Sequence, residues 1–256
     1  MRSKGFFTDD RAVSETVGFI IIFGIVITGI GLVTLYGYPV LLSQQAEANI
    51  RNMEKNMIVL QSDMNSLTYK NVPYQETSLQ VSGGTLMVEN PSDDKYFDIH
   101  VGSTHYIPTP DKKFKPGQLV FISDSEPVRI GLQNGAVVKW QLDGSTQGGS
   151  VMLSEPRWFL DDDTGTLVIT LIQINSDSNL AQTGIGTVSM NISQLYPPQE
   201  VIPSGDVTID YSIPSGYPKA WENYFNKFAS TTTSSVSIPD VDKLIIKTYK
   251  VTILSL

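Results

Sequence analysis

The chain has 256 residues, 41% of them apolar, 17% charged and none cysteine. Without cysteine there is no disulfide framework, thiolate nucleophile or thiolate-ligated metal centre. The net charge of −8 falls on residues 75–256, with 12 basic against 20 acidic side chains, while residues 1–74 balance at 6 and 6; an acidic distal part without a basic patch argues against nucleic acid as a partner.

From Thr16 to Ala46 there are 31 positions and no charge. A bilayer core of ~30 Å needs about 20 apolar residues as helix, so this run spans it with residues to spare. A buried core helix rarely runs this long without a polar face. A cleavable secretory signal has an apolar region of about 7–15 residues and an A-x-A-like site, and no such site follows Leu42. The segment therefore reads as an anchor in membrane lipid that stays on the mature protein. Arg2, Lys4 and Arg11 precede it and Arg51 and Lys55 follow, which favours the N-terminus inside and the large C-terminal part outside. Gly18, Gly24, Gly29, Gly31 and Gly37 punctuate the run. Glycines let helices approach closely in lipid, although membrane helices also tolerate them without such a role. Pro39 lacks an N–H and should kink or open the helix.

The stretch Asp9-Asp10-Arg11-Ala12-Val13-Ser14-Glu15-Thr16-Val17-Gly18-Phe19-Ile20 resembles the N-terminus of archaeal type IV pilin-like proteins. The resemblance implies a short charged leader removed by a prepilin peptidase on the cytoplasmic side, with the apolar helix left in place. Cleavage would fall between Ala12 and Val13, a small residue suiting the peptidase better than a cut after Asp10, which would make Glu15 the fifth mature residue. Glu15-Thr16 stands where many members carry Pro-Val. It resembles the Ser-Glu-Thr subset, which includes archaellum stator-like subunits and uncharacterised surface proteins. A carboxylate at the membrane edge needs a partner or water, so Glu15 either pairs with the new N-terminal amine of a neighbouring subunit or sits hydrated at headgroup level. Met152-Leu153-Ser154-Glu155-Pro156-Arg157-Trp158 looks like an uncharacterised archaeal family of single-span proteins and implies no activity.

Beyond the apolar run, Ile50, Met53, Met57, Leu60, Met64 and Leu67 step by 3, 4, 3, 4, 3, a heptad seam. One long helix from about Thr16 to Leu67 follows, bent near Pro39. Its seam faces either copies of itself or the protein's own distal domain.

From Ser78 the period becomes two. Leu79–Val81 and Leu86–Val88 around Gly83-Gly84 read as a hairpin. Further strands are expected at Tyr96–Val101, Leu119–Ile122, Val128–Leu132, Ala136–Leu142, Thr166–Ile174, Gly184–Ile192, Val207–Tyr211 and Leu244–Leu254. Turns are expected at Pro91-Ser92-Asp93, Pro116-Gly117, Asn134-Gly135, Asp143-Gly144 and Thr164-Gly165. Trp221, Tyr224, Phe225 and Phe228, with Pro218 fit for a first turn, read as a short helix burying an aromatic stripe. The fold class is α+β: a long N-terminal transmembrane and stalk helix, then an antiparallel β-sandwich with one inserted helix. The expected segments are a leader at 1–12, a transmembrane or filament helix at 13–42, a heptad stalk at 43–74 and an extracytoplasmic β domain at 75–256.

Chemistry-bearing motifs are scarce. There is no nucleophile elbow, phosphate loop, His-Glu-x-x-His or dinucleotide fingerprint, and the chain reads as non-enzymatic, with no cofactor. His100 and His105 on one strand would face opposite sides unless Gly102 bends it. Asp161, Asp162 and Asp163 in an acidic turn are a weak Ca²⁺ candidate; the pattern lacks the EF-hand register, and a solvated hairpin turn is the plainer reading. Asn191-Ile192-Ser193 matches the N-glycosylation acceptor, while Pro91 excludes Asn90. The expected function is a type IV pilin-like subunit or minor component of a surface filament, partnered by the peptidase and by itself or related subunits. The alternative is a membrane-anchored binding or adhesion module, including a stator-like one, whose outer ligand the sequence does not name.

Overall fold

The computed structural model describes residues 10–70, 72–142, 149–213, 217–229, 231–232 and 234–256, with backbone alone at 10–15, 218 and 231. The leader residues 1–9 and the turn at Asp143-Gly144 lie outside the described residues. Helix α1 runs Asp10–Leu32 and α2 Tyr38–Lys70, with a π-helical stretch Val33–Gly37 between them. The strands are β1 Tyr74–Glu89, β2 Tyr96–Val101, β3 Thr104–His105, β4 Gln118–Ser123, β5 Val128–Gln133, β6 Ala136–Gln141, β7 Gly149–Ser154, β8 Phe159–Asp161, β9 Thr166–Asn175, β10 Ala181–Val201, β11 Val207–Ser212, then, after helix α3 Pro218–Phe225, β12 Thr231–Thr232, β13 Ser235–Ile238 and β14 Lys243–Ser255. The chain divides into two units, Met1–Ala48 and Asn49–Leu256.

In the first unit the expected long helix is present, and the disturbance expected at Pro39 takes the form of the π stretch. Tyr38 N–H donates to the Val33 carbonyl five residues back. The Pro39 ring would clash with the carbonyl of Leu35 in a regular α turn. Widening the preceding turn relieves that contact.

The second unit is built in three layers. Its middle layer is a nine-stranded sheet ordered β7-β6-β5-β4-β1-β10-β14-β9-β8. One face carries residues 49–70 of α2. The other carries a five-stranded sheet, β12-β13-β11-β2-β3, together with α3. Strand pleating divides the residues between two cores. On β9, Leu167, Ile169 and Leu171 join the inter-sheet core while Ile172 and Ile174 join the helix core. On β6, Ala136 and Val138 face the sheet core and Val137 faces the helix. The α+β class holds, with the sheets antiparallel except for the β9–β14 pair, which is parallel.

Two local expectations are corrected. The Gly83-Gly84 pair is a bulge inside one long strand, β1, rather than a hairpin turn. Here the register of β1 shifts: it pairs with β10 over Tyr74–Val81 and again at Leu86–Met87, while its second half pairs with β4 over Gly84–Glu89. A Cβ on Gly84 would lie 2.3 Å from the Ile122 carbonyl and 2.6 Å from the Phe121 ring, so the glycine permits a close strand crossing instead of a reversal. The second compact unit begins at Asn49, not residue 75: the supposed stalk supplies one of its layers. By contrast Asn134-Gly135 is the expected two-residue hairpin turn, with φ of 46° and 77°. The aromatic stripe is core as expected, with Trp221 and Phe225 fully buried.

Candidate functional site

Two surfaces of the sequence carried functional expectations, the apolar run and the heptad seam. In the first unit every large apolar side chain from Val17 to Leu42 is between 46 and 71% exposed. No face of this helix is polar, and it is long and apolar enough to cross a membrane. Three of its hydroxyls bond back onto the helix. Thr28 Oγ1 donates to the Gly24 carbonyl at 2.7 Å, Thr34 Oγ1 to Ile30 at 2.9 Å and Ser43 Oγ to Val40 at 2.9 Å. Such back-bonding satisfies these three hydroxyls without outside partners. Around Gly18, Gly24, Gly29 and Gly31 an added Cβ would meet nothing within 4 Å, so these positions are open to close approach. Ala12, Val13 and Glu15 lie on the helical backbone of α1; their side chains fall outside the described residues.

The seam behaves differently. Met53, Met57, Leu60 and Met64 are fully buried, Leu67 is nearly so, and Ile50 is 6% exposed. They pack against Leu79, Val81 and Leu86 of β1, Leu119 and Phe121 of β4, and Ile130 of β5 within one core. Of the two partners open to the seam, it takes its own sheet. Polar ties hold the helix in register. Gln61 Nε2 donates to the carbonyls of Gly135 at 2.6 Å and Glu155 at 3.0 Å, and Lys139 pairs with Glu54 at 2.8 Å.

The Met152–Trp158 segment joins the same framework. Leu153 packs on the helix core and Met152 on the inter-sheet core. The Glu155 carbonyl receives Gln61, and the Arg157 guanidinium lies 4.8 Å from the centre of the Tyr69 ring. The Trp158 indole N–H donates to the Thr170 carbonyl at 2.6 Å. Around it Phe97, Trp221, Tyr224 and Phe225 form an aromatic cluster, with ring centroids 5.7 to 6.4 Å from that of Trp158. This segment is a three-way structural joint.

Burial raises the hydroxyls of Tyr217 and Tyr224 well above the usual tyrosine range, reinforced by the nearby acids Glu89 and Glu155 respectively. Tyr211 is pushed to about 12 by burial, with Glu222 adding to the shift. Burial works against ionisation of Glu89, but hydrogen bonds from Lys95 at 2.8 Å and Gln118 at 2.6 Å outweigh it and hold the carboxyl below its usual range.

His100 and His105 do not face opposite sides. The chain reverses at Gly102, and the register pairs His100 with His105 across β2 and β3, their ring centroids 5.2 Å apart. His100 Nε2 lies 3.1 Å from Asp210 Oδ2, and His105 Nδ1 lies 2.8 Å from Asp98 Oδ1. Gly102, with a φ of 55°, supplies the bend that the sequence reading allowed for, and it brings the two rings together across adjacent strands. The acidic turn closes on itself: Asp161 accepts from the Asp163 N–H at 3.3 Å and the Thr164 hydroxyl at 2.7 Å. As the side chains stand, no three His, Asp or Glu among the described residues are placed to hold a metal ion together. Asn191 is half-buried on β10, paired with Tyr74 on one side and Thr252 on the other, which restricts access once the sheet has formed. Asn90 instead makes a reciprocal pair with Ser176, donating Nδ2 to its carbonyl at 3.0 Å and accepting its N–H at 2.7 Å.

Residues 11–253 match a family of unknown function, DUF7289. The chain belongs to this family. The DUF7289 match covers both the apolar helix and the layered unit. No curated protein and no solved structure matches the chain.

Proposed function

We propose that this chain is a type IV pilin-like structural subunit, or a minor component, of an archaeal surface filament or related apparatus. In this reading the leader is removed between Ala12 and Val13 by a prepilin peptidase. The N-terminus lies in the cytoplasm before processing, and residues 49–256 lie outside. Assembly proceeds through the apolar N-terminal helix. The observation that supports this most is the contrast between the two parts of the helical segment. The seam from Ile50 to Leu67 is spent on the protein's own sheet, while residues Val17 to Leu42 keep every large side chain exposed. The second stretch needs lipid or other helices around it. At roughly 25 cal/mol per Å² of apolar surface, packing it among copies yields tens of kcal/mol before ordering costs.

A second reading, a permanently membrane-held binding module, is supported by an open cleft of about 490 Å³ whose lining includes Thr109, Lys113, Phe114, Gln173 and Tyr196. Its lining mixes apolar Phe114 and Leu195 with polar and charged Asp111, Lys113, Lys115 and Gln173. Cell shearing separates the two. Recovery of the protein in sheared fibres supports the subunit. Retention wholly in membranes, under conditions where filaments form, favours the anchored module. A mass spectrum of the mature N-terminus tests the processing step: an intact Met1–Ala12 removes the pilin-pathway argument.

A further inference from the structure

We propose that the unpaired flank of β1, Tyr74–Ser82, is a contact between two copies of this chain, joined by antiparallel β1–β1 pairing with Ser78 on the twofold axis. The contact goes beyond the apolar helix of the proposed subunit, because it adds a joint of defined register in the outer unit. β1 has β10 on one side from Tyr74 to Val81. On its other side β4 begins only at Gly84, and no further strand among the described residues pairs there. The Gln80 carbonyl is met by Asn56 Nδ2 of the helix at 3.4 Å, so it points to the open side and not to β10. Backbone groups alternate in direction along a strand, so Tyr74, Glu76 and Ser78 turn their N–H and C=O to the same open side.

Such a row of unpaired groups is a template for another strand, and proteins guard it with lysine, proline or a covering element. The Tyr74–Ser82 flank has no lysine and no proline, and its one charge is Glu76. Guards are present elsewhere on the same sheet. β7 lies against α3, where the Ala220 N–H donates to Ser150 Oγ at 3.0 Å. The part of β10 that runs on past Tyr74's partner Asn191 carries Pro197 and Pro198. A groove of about 330 Å³ lies beside the β1 flank, lined by Asn49, Asn52 and Asn56 of the helix and by Ser78, Gln80 and Ser82, which gives an incoming strand room.

The order of side chains selects a second copy as the occupant. A twofold contact must be self-complementary. Centred on Ser78, the pairing sets Ser78 opposite Ser78, Glu76 opposite Gln80 and Tyr74 opposite Ser82. Each carboxylate then meets an amide, and no like charges are opposed. Centred on Glu76, it would set the two acids face to face. The Asn56 amide now holds the place of a partner's N–H on Gln80, through a bond at the long end of the range. The partner's backbone replaces it. One strand from each copy makes a contact smaller than the ~1,200 Å² of a stable interface. It therefore joins copies already gathered in one membrane by their apolar helices, where the effective concentration is high, and leaves dilute soluble copies apart.

The chain has no cysteine, so introduced cysteines report the register. Directly opposed residues have Cα atoms about 5.5 Å apart, within disulfide range, while the two Glu76 residues would be more than ~10 Å apart. Full-length protein is oxidised in the membranes of the expressing cell and run on non-reducing gels. Ser78 is exposed, so Ser78→Cys leaves both cores intact. It is expected to give a covalent dimer at least tenfold above Asp162→Cys, an exposed turn position that measures random collision. Glu76→Cys and Gln80→Cys are each expected to stay monomeric alone and to crosslink to one another when co-expressed. Ser78→Cys no better than Asp162→Cys, or Glu76→Cys joining to itself as readily as Ser78→Cys, would overturn the contact. Gly24→Cys, in the apolar run, reports separately whether the helices meet. If it crosslinks while Ser78→Cys does not, the β1 contact alone falls and assembly through the helix stands; if neither does, both fall.

Discussion

Tyr217 shows how far a single side chain departs from what its type suggests. It is buried, yet its hydroxyl has no protein hydrogen-bond partner among the described residues, and the same holds for the nearby Gln118 Oε1. Each lies 3.1 Å from the place a Cβ on Gly131 would occupy. An unmatched buried hydroxyl adds desolvation cost without a compensating bond. Tyr217→Phe should therefore leave stability within about 1 kcal/mol of the parent, or raise it, in denaturant melts; a loss of several kcal/mol would reveal a partner the hydroxyl depends on. Its pH response has a definite sign. The folded state raises Tyr211, Tyr217 and Tyr224, so it favours their neutral forms. That contribution is complete below the unfolded tyrosine value of about 10 and is lost as pH rises through it towards the folded values. The tyrosinate absorbance of these residues should appear together with loss of near-UV circular dichroism, not before it. Glu89 acts at the other end of the scale: its lowered value contributes above the usual carboxylate range and is lost as pH falls through it.

Helix α2 separates what a pattern specifies from what it leaves open. Met57 is fully buried against the sheet, and Met57→Ala should cost about 2–5 kcal/mol in urea unfolding. A seam that served only contact between copies would give no such loss in the isolated protein. The 3-4 spacing was readable because it is local, whereas the identity of the facing surface depends on residues up to Ile253. The long strands were readable for the same reason, since alternation and turn residues mark them. The short strands β3, β8 and β12 have two or three residues each, too few to establish a period. Gly83-Gly84 misled because glycine serves equally for a turn and for a close crossing, and only the position of Phe121 distinguishes them. In the apolar run, Pro39 was legible as a disturbance but not as a π stretch. Pro39→Ala restores an N–H that can reach the Leu35 carbonyl. Residues Val33–Gly37 should then return to regular α-helix, seen as a newly protected amide at position 39 in hydrogen exchange; persistence of the wide turn would assign it to another cause.

At the scale of the whole molecule, the layer formed by residues 49–70 determines where the chain can be divided. A fragment spanning 49–256 retains both cores and should be monomeric on size exclusion, with a cooperative thermal transition. A fragment spanning 75–256 loses Met53, Met57, Leu60 and Met64, leaving Leu86, Phe121 and Ile130 uncovered. It should aggregate or bind hydrophobic dyes, as large exposed apolar patches do. Equal behaviour of the two fragments would show that the helix is an accessory and not a layer. The last strand has a consequence for biogenesis. β14 is not at a margin of its sheet but between β10 and β9, pairing with both along most of its length. A partner needed by both neighbours is thus synthesised after them, and its pairings close long loops, which is slow. Until Lys243–Ser255 is synthesised, β9 and β10 each wait with one open flank. A product truncated before Lys243 has no means of closing its own sheet.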